Sequence, residues 1–273
     1  MTDNKAETKA NAESAADATN AEEESLEEAS LISHLVELRN RLVRASLAVL
    51  VVFACLFPFS EQIFTLVAQP MMDKLPEGST MIATQVASPF LTPFKTTLWV
   101  ALFLAMPIVI YQTWAFVAPG LYKKEKRFAI PLVVSSILLF YAGLAFAYAV
   151  VFPLMFAFFN AVAPEGVTVM TDINNYLDFV LVIFFAFGLA FEVPIATVML
   201  VWSGLTTPKQ LGACRAYVFL GAFVAGMLLT PPDVISQTLL AVPIYLLYEV
   251  GIIMSRIMLR ESKDKDPDDA DAA

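Results

Sequence analysis

The segment FVLVIFFAFGLAFEVPIATVMLVWS (179–203) decides the fold of this chain. Its 25 residues contain a single ionisable side chain, Glu192, and they are enough to cross the ~30 Å hydrocarbon core of a bilayer as one helix. A carboxyl group inside such a span costs roughly 2.5–3.5 kcal/mol on insertion scales, so it usually faces a protein interior or a watery cavity and has a function there. Glu192 is therefore a candidate intramembrane polar site. The alternative is a carboxyl group that only packs helices together by hydrogen bonding to a neighbour.

The rest of the chain has the composition of a polytopic membrane protein, with 58% hydrophobic and only 16% charged residues among 273. Its formal net charge of −9 is concentrated at the two ends, because residues 1–29 and 261–273 hold 15 of the 26 acids and 4 of the 17 bases. These ends are rich in Ala, Asp and Glu and lack apolar periodicity. We therefore predict two disordered acidic tails, 1–29 and 258–273, that flank a membrane domain at 30–257.

Six apolar segments lie in the membrane domain, at about 42–59, 96–118, 129–159, 177–203, 215–230 and 235–256. Lysine and arginine are concentrated before the first segment, between the second and third, between the fourth and fifth, and after the sixth. Because basic residues mark cytoplasmic loops, this bias predicts an all-α protein with six transmembrane helices and both termini in the cytoplasm. The last two spans are short, since the fifth reaches only ~24 Å at about 1.5 Å per residue.

Prolines interrupt these segments. A proline removes a backbone donor and can bend a helix. Five lie within or at the ends of the apolar segments: Pro107, Pro131, Pro153, Pro194 and Pro243. We interpret them as the bends of a curved wall of helices, while each on its own is equally consistent with an ordinary kink in a membrane bundle.

Two acids lie in otherwise basic segments that are predicted to face the cytoplasm. Glu37 is in the amphipathic segment SLISHLVELRNRLVR (30–44), and Glu125 is in the loop FVAPGLYKKEKRF (116–128). Topology explains the bases there but not the acids. Two carboxylates could together hold a guanidinium by charge-assisted hydrogen bonds, with Phe116 and Tyr122 as an apolar wall. The alternative is that each acid only pairs with a neighbouring Arg or Lys, which is common on protein surfaces and contributes little.

The connection TPPDV (230–234) joins the last two segments. Pro231 and Pro232 cannot continue a helix and predict a tight turn. Asp233 is placed to cap the next helix through its side-chain oxygen. Gln237, one turn later, is a polar group that could hydrogen-bond to another helix inside the bilayer.

The sequence gives no support for an enzyme. His34 is the only histidine and precedes the first span, so no Ser–His pair is available within the membrane. The chain has no GxxxxGK[ST] phosphate-binding loop and no His/Cys cluster with metal-ligand spacing. We predict a protein that is not an enzyme, uses no cofactor or metal, and has no nucleic-acid partner.

Five segments of the membrane domain together resemble the TatC family, the six-span receptor subunit of the twin-arginine protein translocase. They are HLVELRNRL (34–42), SPF (88–90), YQTWAFVAPGLYKKEKR (111–127), FGLAFEVP (187–194) and TPPDVISQ (230–237), and they occur in the family's order and topology. The resemblance covers about residues 30–257. It implies a concave, cupped wall of kinked helices in the bacterial cytoplasmic (inner) membrane, with both termini in the cytoplasm.

The resemblance also implies a function that the residues alone do not supply. Proteins of this family recognise folded exported proteins by signal peptides with consecutive arginines, and proton-motive force drives export without a nucleotide. In such a receptor Glu37, Glu125 and Phe116 bind the arginine pair, and Arg39 and His34 lie on the same surface.

Partners follow from the resemblance as well. They are single-span subunits of the TatA and TatB type, further copies of the chain in the complex, and the lipid bilayer. Met227, Thr230 and Gln237 would form the docking site for the single-span subunits. Glu192 would lie in the concave face, where the signal peptide inserts or partner helices dock.

Two other functions stay open. A proton-coupled small-molecule carrier could use Glu192, but the two halves of the sequence are not inverted copies, and we recognise no further buried ionisable group in the spans. A non-catalytic membrane scaffold would need Glu37, Glu125 and Glu192 only for folding.

Overall fold

The computed structural model describes residues 32–72, 82–117, 126–162, 172–230 and 234–265. The chain divides into two compact units, Met1–Leu47 and Ala48–Ala273. The helices are α1 (32–56), a 3₁₀ turn (Phe57–Phe59), α2 (Ser60–Met72), α3 (Ser88–Val117), α4 (Lys126–Phe146), a π-helical turn (Ala147–Val151), α5 (Phe152–Val162), α6 (Ile173–Ala190), α7 (Val193–Trp202), α8 (Pro208–Ala213), α9 (Arg215–Leu229) and α10 (Val234–Lys265).

The prediction of an all-helical polytopic membrane protein is confirmed. Five helical stretches in the described part of the chain are long and apolar enough to cross a membrane: Ile32–Gln69, Ser88–Val117, Ile130–Phe159, Ile173–Trp202 and Val234–Met258. The fifth predicted segment is the shorter apolar helix Arg215–Leu229. The count of six spans, the side of the termini and the cupped shape stay predictions.

The described residues extend into one of the two predicted tails. The amino-terminal tail, 1–29, lies outside the described residues. At the other end α10 continues to Lys265, which is eight residues into the segment predicted to be disordered.

Two of the five prolines coincide with interruptions of the α-helix. Before Pro153 the chain forms a π-helical turn, in which the Phe152 N–H donates to the carbonyl of Ala147, five residues back. This local rewinding removes the clash that a proline ring makes with the preceding turn. Before Pro194, α6 ends and α7 begins, with Glu192 in the break. The helices continue through Pro107, Pro131 and Pro243.

Glycines allow close packing between the helices of the second unit. A Cβ at Gly143 in α4 would overlap the carbonyl oxygen of Phe187 in α6 and lie 2.9 Å from its carbonyl carbon. Gly188, the next residue of α6, lies in turn against the ring of Phe140 in α4. Small residues at helix interfaces are typical of membrane proteins, where van der Waals packing drives association. The core around this contact is strongly aromatic, and Phe140 and Phe187 are fully buried in it.

Asp172 ties the segment before α3 to the start of α6. Its Oδ1 accepts hydrogen bonds from the backbone N–H of Asn174 and Asn175, as an N-cap residue does. Its Oδ2 accepts from the backbone N–H of Thr84 at 2.9 Å and from the Thr84 hydroxyl at 2.5 Å. A short parallel bridge between Ile82 and Asp172 runs alongside. One side chain therefore serves both as a helix cap and as a tether for a distant loop.

Candidate functional site

The break between α6 and α7 positions Glu192. Because Pro194 has no N–H, the helical ladder is interrupted there, and the backbone N–H of Glu192 bonds to the carbonyl of Leu189, only three residues back. Glu192 is the residue before α7, but its side chain does not cap that helix. The carboxyl group points instead towards α4 and α3.

The Glu192 carboxyl group is held by a chain of two hydrogen bonds from neighbouring helices. The hydroxyl of Ser136 in α4 donates to Glu192 Oε2. Trp114 in α3 donates from its indole Nε1 to Ser136 Oγ at 2.8 Å. Ser136 is 0% exposed and Trp114 9%, so this arrangement lies inside the helix assembly. The predicted alternative of a carboxyl group that joins helices by hydrogen bonding is thus part of what Glu192 does.

The second carboxyl oxygen gives Glu192 a further capacity. Oε1 is buried, and among the described residues it has no hydrogen-bond partner. A carboxyl oxygen accepts hydrogen bonds when ionised and can donate one when protonated. A buried polar atom left unpaired is costly, so Oε1 is a position at which a further hydrogen bond would be favourable.

Glu37 already holds a guanidinium group. Arg41, one turn further along α1, donates to Glu37 Oε1 from Nε at 2.9 Å and from Nη2 at 2.6 Å. The pairing with a neighbouring base, which the sequence left open as the alternative, is therefore present. Arg39 contacts its own neighbour, with Nη2 3.3 Å from Asn40 Oδ1. His34 and Arg39 are exposed on the same helix.

Of the two other residues in the predicted arginine-binding pocket, the structure describes one. Phe116 lies near the end of α3 and is partly buried. Glu125 lies outside the described residues, so the predicted pairing of two carboxylates stays a prediction. The turn residues Pro231, Pro232 and Asp233 also lie outside the described residues.

The three residues predicted to dock partner helices gather where α9 ends and α10 begins. Gln237 uses its amide within the chain, donating from Nε2 to the carbonyl of Phe223 in α9 at 2.7 Å. Thr230 is buried and donates to the carbonyl of Gly226 at 2.9 Å. Met227 is 54% exposed. Of the three, Met227 has an exposed side chain, Gln237 joins α10 to α9, and the Thr230 hydroxyl bonds to the last turn of α9.

Sequence reasoning missed two ion pairs between helices. The Glu249 carboxylate in α10 accepts two hydrogen bonds from Arg215 at the start of α9. Arg215 Nε lies 2.5 Å from Oε1, and Nη2 lies 2.7 Å from Oε2. Lys95 Nζ in α3 lies 2.5 Å from Asp178 Oδ1 in α6. Glu249 lies within the sixth apolar segment and is half-buried, with 24% of its side chain exposed, and the sequence analysis did not single it out. Its position inside that segment was the available signal.

No group of three or more His, Cys, Asp or Glu side chains that could hold a metal ion occurs in the described part of the chain. The charged side chains form pairs between and within helices instead. The polar features with the clearest functional character are the Glu192 group and the Glu37 carboxylate.

Comparisons with known proteins agree on one family. The family model of the Sec-independent protein translocase protein (TatC) matches residues 33–243. The Sec-independent protein translocase protein TatC of Azotobacter chroococcum mcd 1 is 62% identical over 232 residues, which are 85% of this chain and 91% of that protein. The protein of the same name from Escherichia coli (strain K12) is 56% identical over 236 residues, which are 86% and 92% of the two chains.

A solved structure has the same fold. The crystal structure of a twin arginine translocase receptor, TatC, superimposes with a TM-score of 0.75 at 38% sequence identity. The match covers 83% of this chain and 99% of that one. Sequence and fold therefore lead to the same conclusion, a membrane component of protein transport. The chain belongs to the TatC family of Sec-independent protein translocase proteins.

Proposed function

We propose that this protein is the receptor of a twin-arginine export system in the bacterial cytoplasmic membrane, with both termini in the cytoplasm. It binds the signal peptides of folded precursors through their paired arginines. It then assembles with single-span subunits of the TatA and TatB type and with further copies of itself. Proton-motive force drives export, and no cofactor or nucleotide takes part. The name of the solved relative, a twin arginine translocase receptor, supports this assignment.

The observation that carries the proposal is the way Glu37 holds Arg41. The carboxylate accepts two hydrogen bonds from one guanidinium and keeps 38% of its side chain exposed. It is therefore a group that binds arginine and that solvent can reach. In the proposed complex an arginine of the signal peptide takes over this carboxylate from Arg41. Glu125 and Phe116 complete the pocket, and Arg39 and His34 border it.

The affinity of a signal peptide tests this pocket directly. We expect Glu37→Ala and Glu125→Ala each to weaken binding of a peptide with two consecutive arginines by roughly 10- to 150-fold, the equivalent of 1.5–3 kcal/mol for a charged hydrogen bond. Arg41→Gln is the matched control, because it removes the internal competitor and leaves both carboxylates. We expect it to preserve or raise the affinity. Normal affinity in both alanine variants, with the protein correctly inserted, would remove the pocket from the proposal.

Glu192 and the α9–α10 turn serve the second half of the function. In the proposed assembly, the unpaired Oε1 of Glu192 receives a polar group of the inserted signal peptide or of a partner helix. Met227 supplies the apolar contact to a single-span subunit, and Gln237 and Thr230 hold the turn that presents it. Met227 lies on an exposed helix surface, which suits a partner that is itself a single helix.

A further inference from the structure

Two guanidinium groups from different helices converge over Gly212, away from the sites described above. Arg215 is the first residue of α9, and Arg256 lies in α10. Arg215 Nη1 and Arg256 Nη2 each lie 3.9 Å from the point that a Cβ of Gly212 would occupy. The two nitrogen atoms are therefore no further apart than twice that distance, and the missing side chain of Gly212 leaves the space between them open.

Among the described side chains, the positive charge at this point is only partly balanced. Arg215 spends Nε and Nη2 on Glu249, which leaves Nη1 directed towards Gly212. Arg256 acts on the same carboxylate electrostatically, but neither Arg256 nor Lys209 forms an ion pair with a described side chain. Lys209 is exposed one turn before Gly212 in α8. Arg215 and Arg256 thus share one carboxylate, and with Lys209 in the neighbouring helix these four described side chains have an excess of two positive charges.

The position along the helices places this charge at a membrane surface. Arg215 begins the apolar helix Arg215–Leu229, and Arg256 lies two residues before the end of the apolar stretch Val234–Met258. These two helices are joined at their opposite ends by the short connection 230–234, so both arginines lie at the same end of the pair. Towards the apolar part of α10, Ile253 is 53% exposed. The guanidinium groups therefore lie at headgroup level, with apolar surface beneath them.

We infer that Arg215 and Arg256 bind the phosphate of an anionic phospholipid in the space over Gly212, and that Lys209 adds to its attraction. A planar guanidinium binds phosphate through parallel N–H donors, and basic pockets between transmembrane helices are the usual sites for anionic headgroups. The exposed apolar surface of α10 accommodates the acyl chains. The site goes beyond the proposed export function, because it concerns neither the signal peptide nor the partner subunits.

Native mass spectrometry of the full-length protein in detergent, titrated with phosphatidylglycerol, tests the site. Arg256→Gln removes one guanidinium and leaves the Arg215–Glu249 pair, and we expect it to weaken binding of the first lipid about fivefold or more. Arg256→Lys keeps the charge but loses the planar donors, so its affinity for phosphatidylglycerol should lie between those of the wild-type protein and Arg256→Gln. Arg44→Gln is the matched control, since it removes an exposed arginine from α1 and should retain the wild-type affinity. Equal losses in Arg256→Gln and Arg44→Gln would overturn the proposal in favour of diffuse charge attraction.

A second variant and a competitor separate the remaining explanations. Gly212→Leu keeps every charge but fills the space, so we expect it to weaken phosphatidylglycerol binding as Arg256→Gln does. Unchanged binding in Gly212→Leu would show that the headgroup does not sit between the two arginines. Soluble glycerol phosphate should displace the lipid poorly, because it has no acyl chain to contact α10. Displacement at equal concentration would identify a site for a free phosphate group and contradict the lipid assignment.

Discussion

At the scale of single residues, the central feature is a carboxyl group whose two oxygens have different surroundings. Ser136 donates to one oxygen of Glu192, and the other is buried without a described partner. The sequence identified Glu192 because it is the one charge in an apolar run. It did not identify Ser136 or Trp114. Ser136 lies 56 residues before Glu192, and Trp114 lies a further 22 residues before Ser136. Serine and tryptophan are ordinary in membrane helices, so only the packing of three helices reveals that they act together.

Loss of the Ser136 hydroxyl should weaken the fold measurably. Ser136→Ala leaves both Glu192 Oε2 and the Trp114 indole N–H without their partner in a buried place, and we expect a loss of about 1–2 kcal/mol. Ser135→Ala is the matched control, because the Ser135 hydroxyl is exposed and, within the described part of the chain, bonds only to the carbonyl of Pro131. Unfolding of both variants in detergent micelles gives the comparison. Equal stability of the two would show that the hydrogen-bond chain contributes nothing.

At the scale of helices, the apolar segments were predictable and their contacts were not. Each of the six predicted segments overlaps a helix, because long apolar runs in a membrane must satisfy their backbone groups internally. The prolines were evident too, but only Pro153 and Pro194 coincide with a change in the helical ladder. The cap at Asp172 was missed, although an acid just before an apolar run is a typical helix start. Its bond to Thr84 joins residues 88 positions apart, which no local pattern shows.

A methyl group at the α4–α6 contact should destabilise the protein. A Cβ at Gly143 would overlap backbone atoms of Phe187, and a backbone cannot turn away as a side chain can. We expect Gly143→Ala to cost about 1–3 kcal/mol, the usual range for overpacking. Gly221→Ala is the matched control, since a Cβ at this glycine in α9 would have nothing within 4 Å. Thermal unfolding in detergent distinguishes them, and an undiminished melting temperature in Gly143→Ala would contradict the close contact.

The tether at Asp172 should respond to acid. Hydrogen bonds from the Thr84 hydroxyl and from backbone N–H groups lower the pKa of Asp172 from 3.8 to about 2. Because the folded-state pKa lies below the ordinary value, the tether is complete above about pH 4 and is lost as the pH falls through about 2. The amide resonance of Thr84, followed against pH, should therefore shift with a midpoint near that value. Asp172→Ala should show no such transition, and a midpoint near 4 in the unchanged protein would refute the tether.

At the scale of the whole molecule, charge, fold and family lead to one account. The distribution of bases predicted six spans with both termini in the cytoplasm, and the described structure shows five long apolar stretches and one shorter helix. The function could not come from such patterns, because Glu37 and Glu125 have the same charge whether they bind a ligand or a neighbour. The Glu37–Arg41 pair shows that the carboxylate can hold a guanidinium, and the proposed receptor function gives that capacity a use.

The most direct test of that account is site-specific photo-crosslinking from positions beside Glu37 and Glu125 to a precursor protein. One precursor carries two consecutive arginines in its signal peptide, and the matched precursor carries two lysines, which keep the charge but lose the planar pair of donors. The account predicts crosslinks that form with the arginine precursor and fade with the lysine precursor. In a correctly inserted protein, crosslinks that are absent or equally strong with both precursors would contradict recognition of the arginine pair at this site.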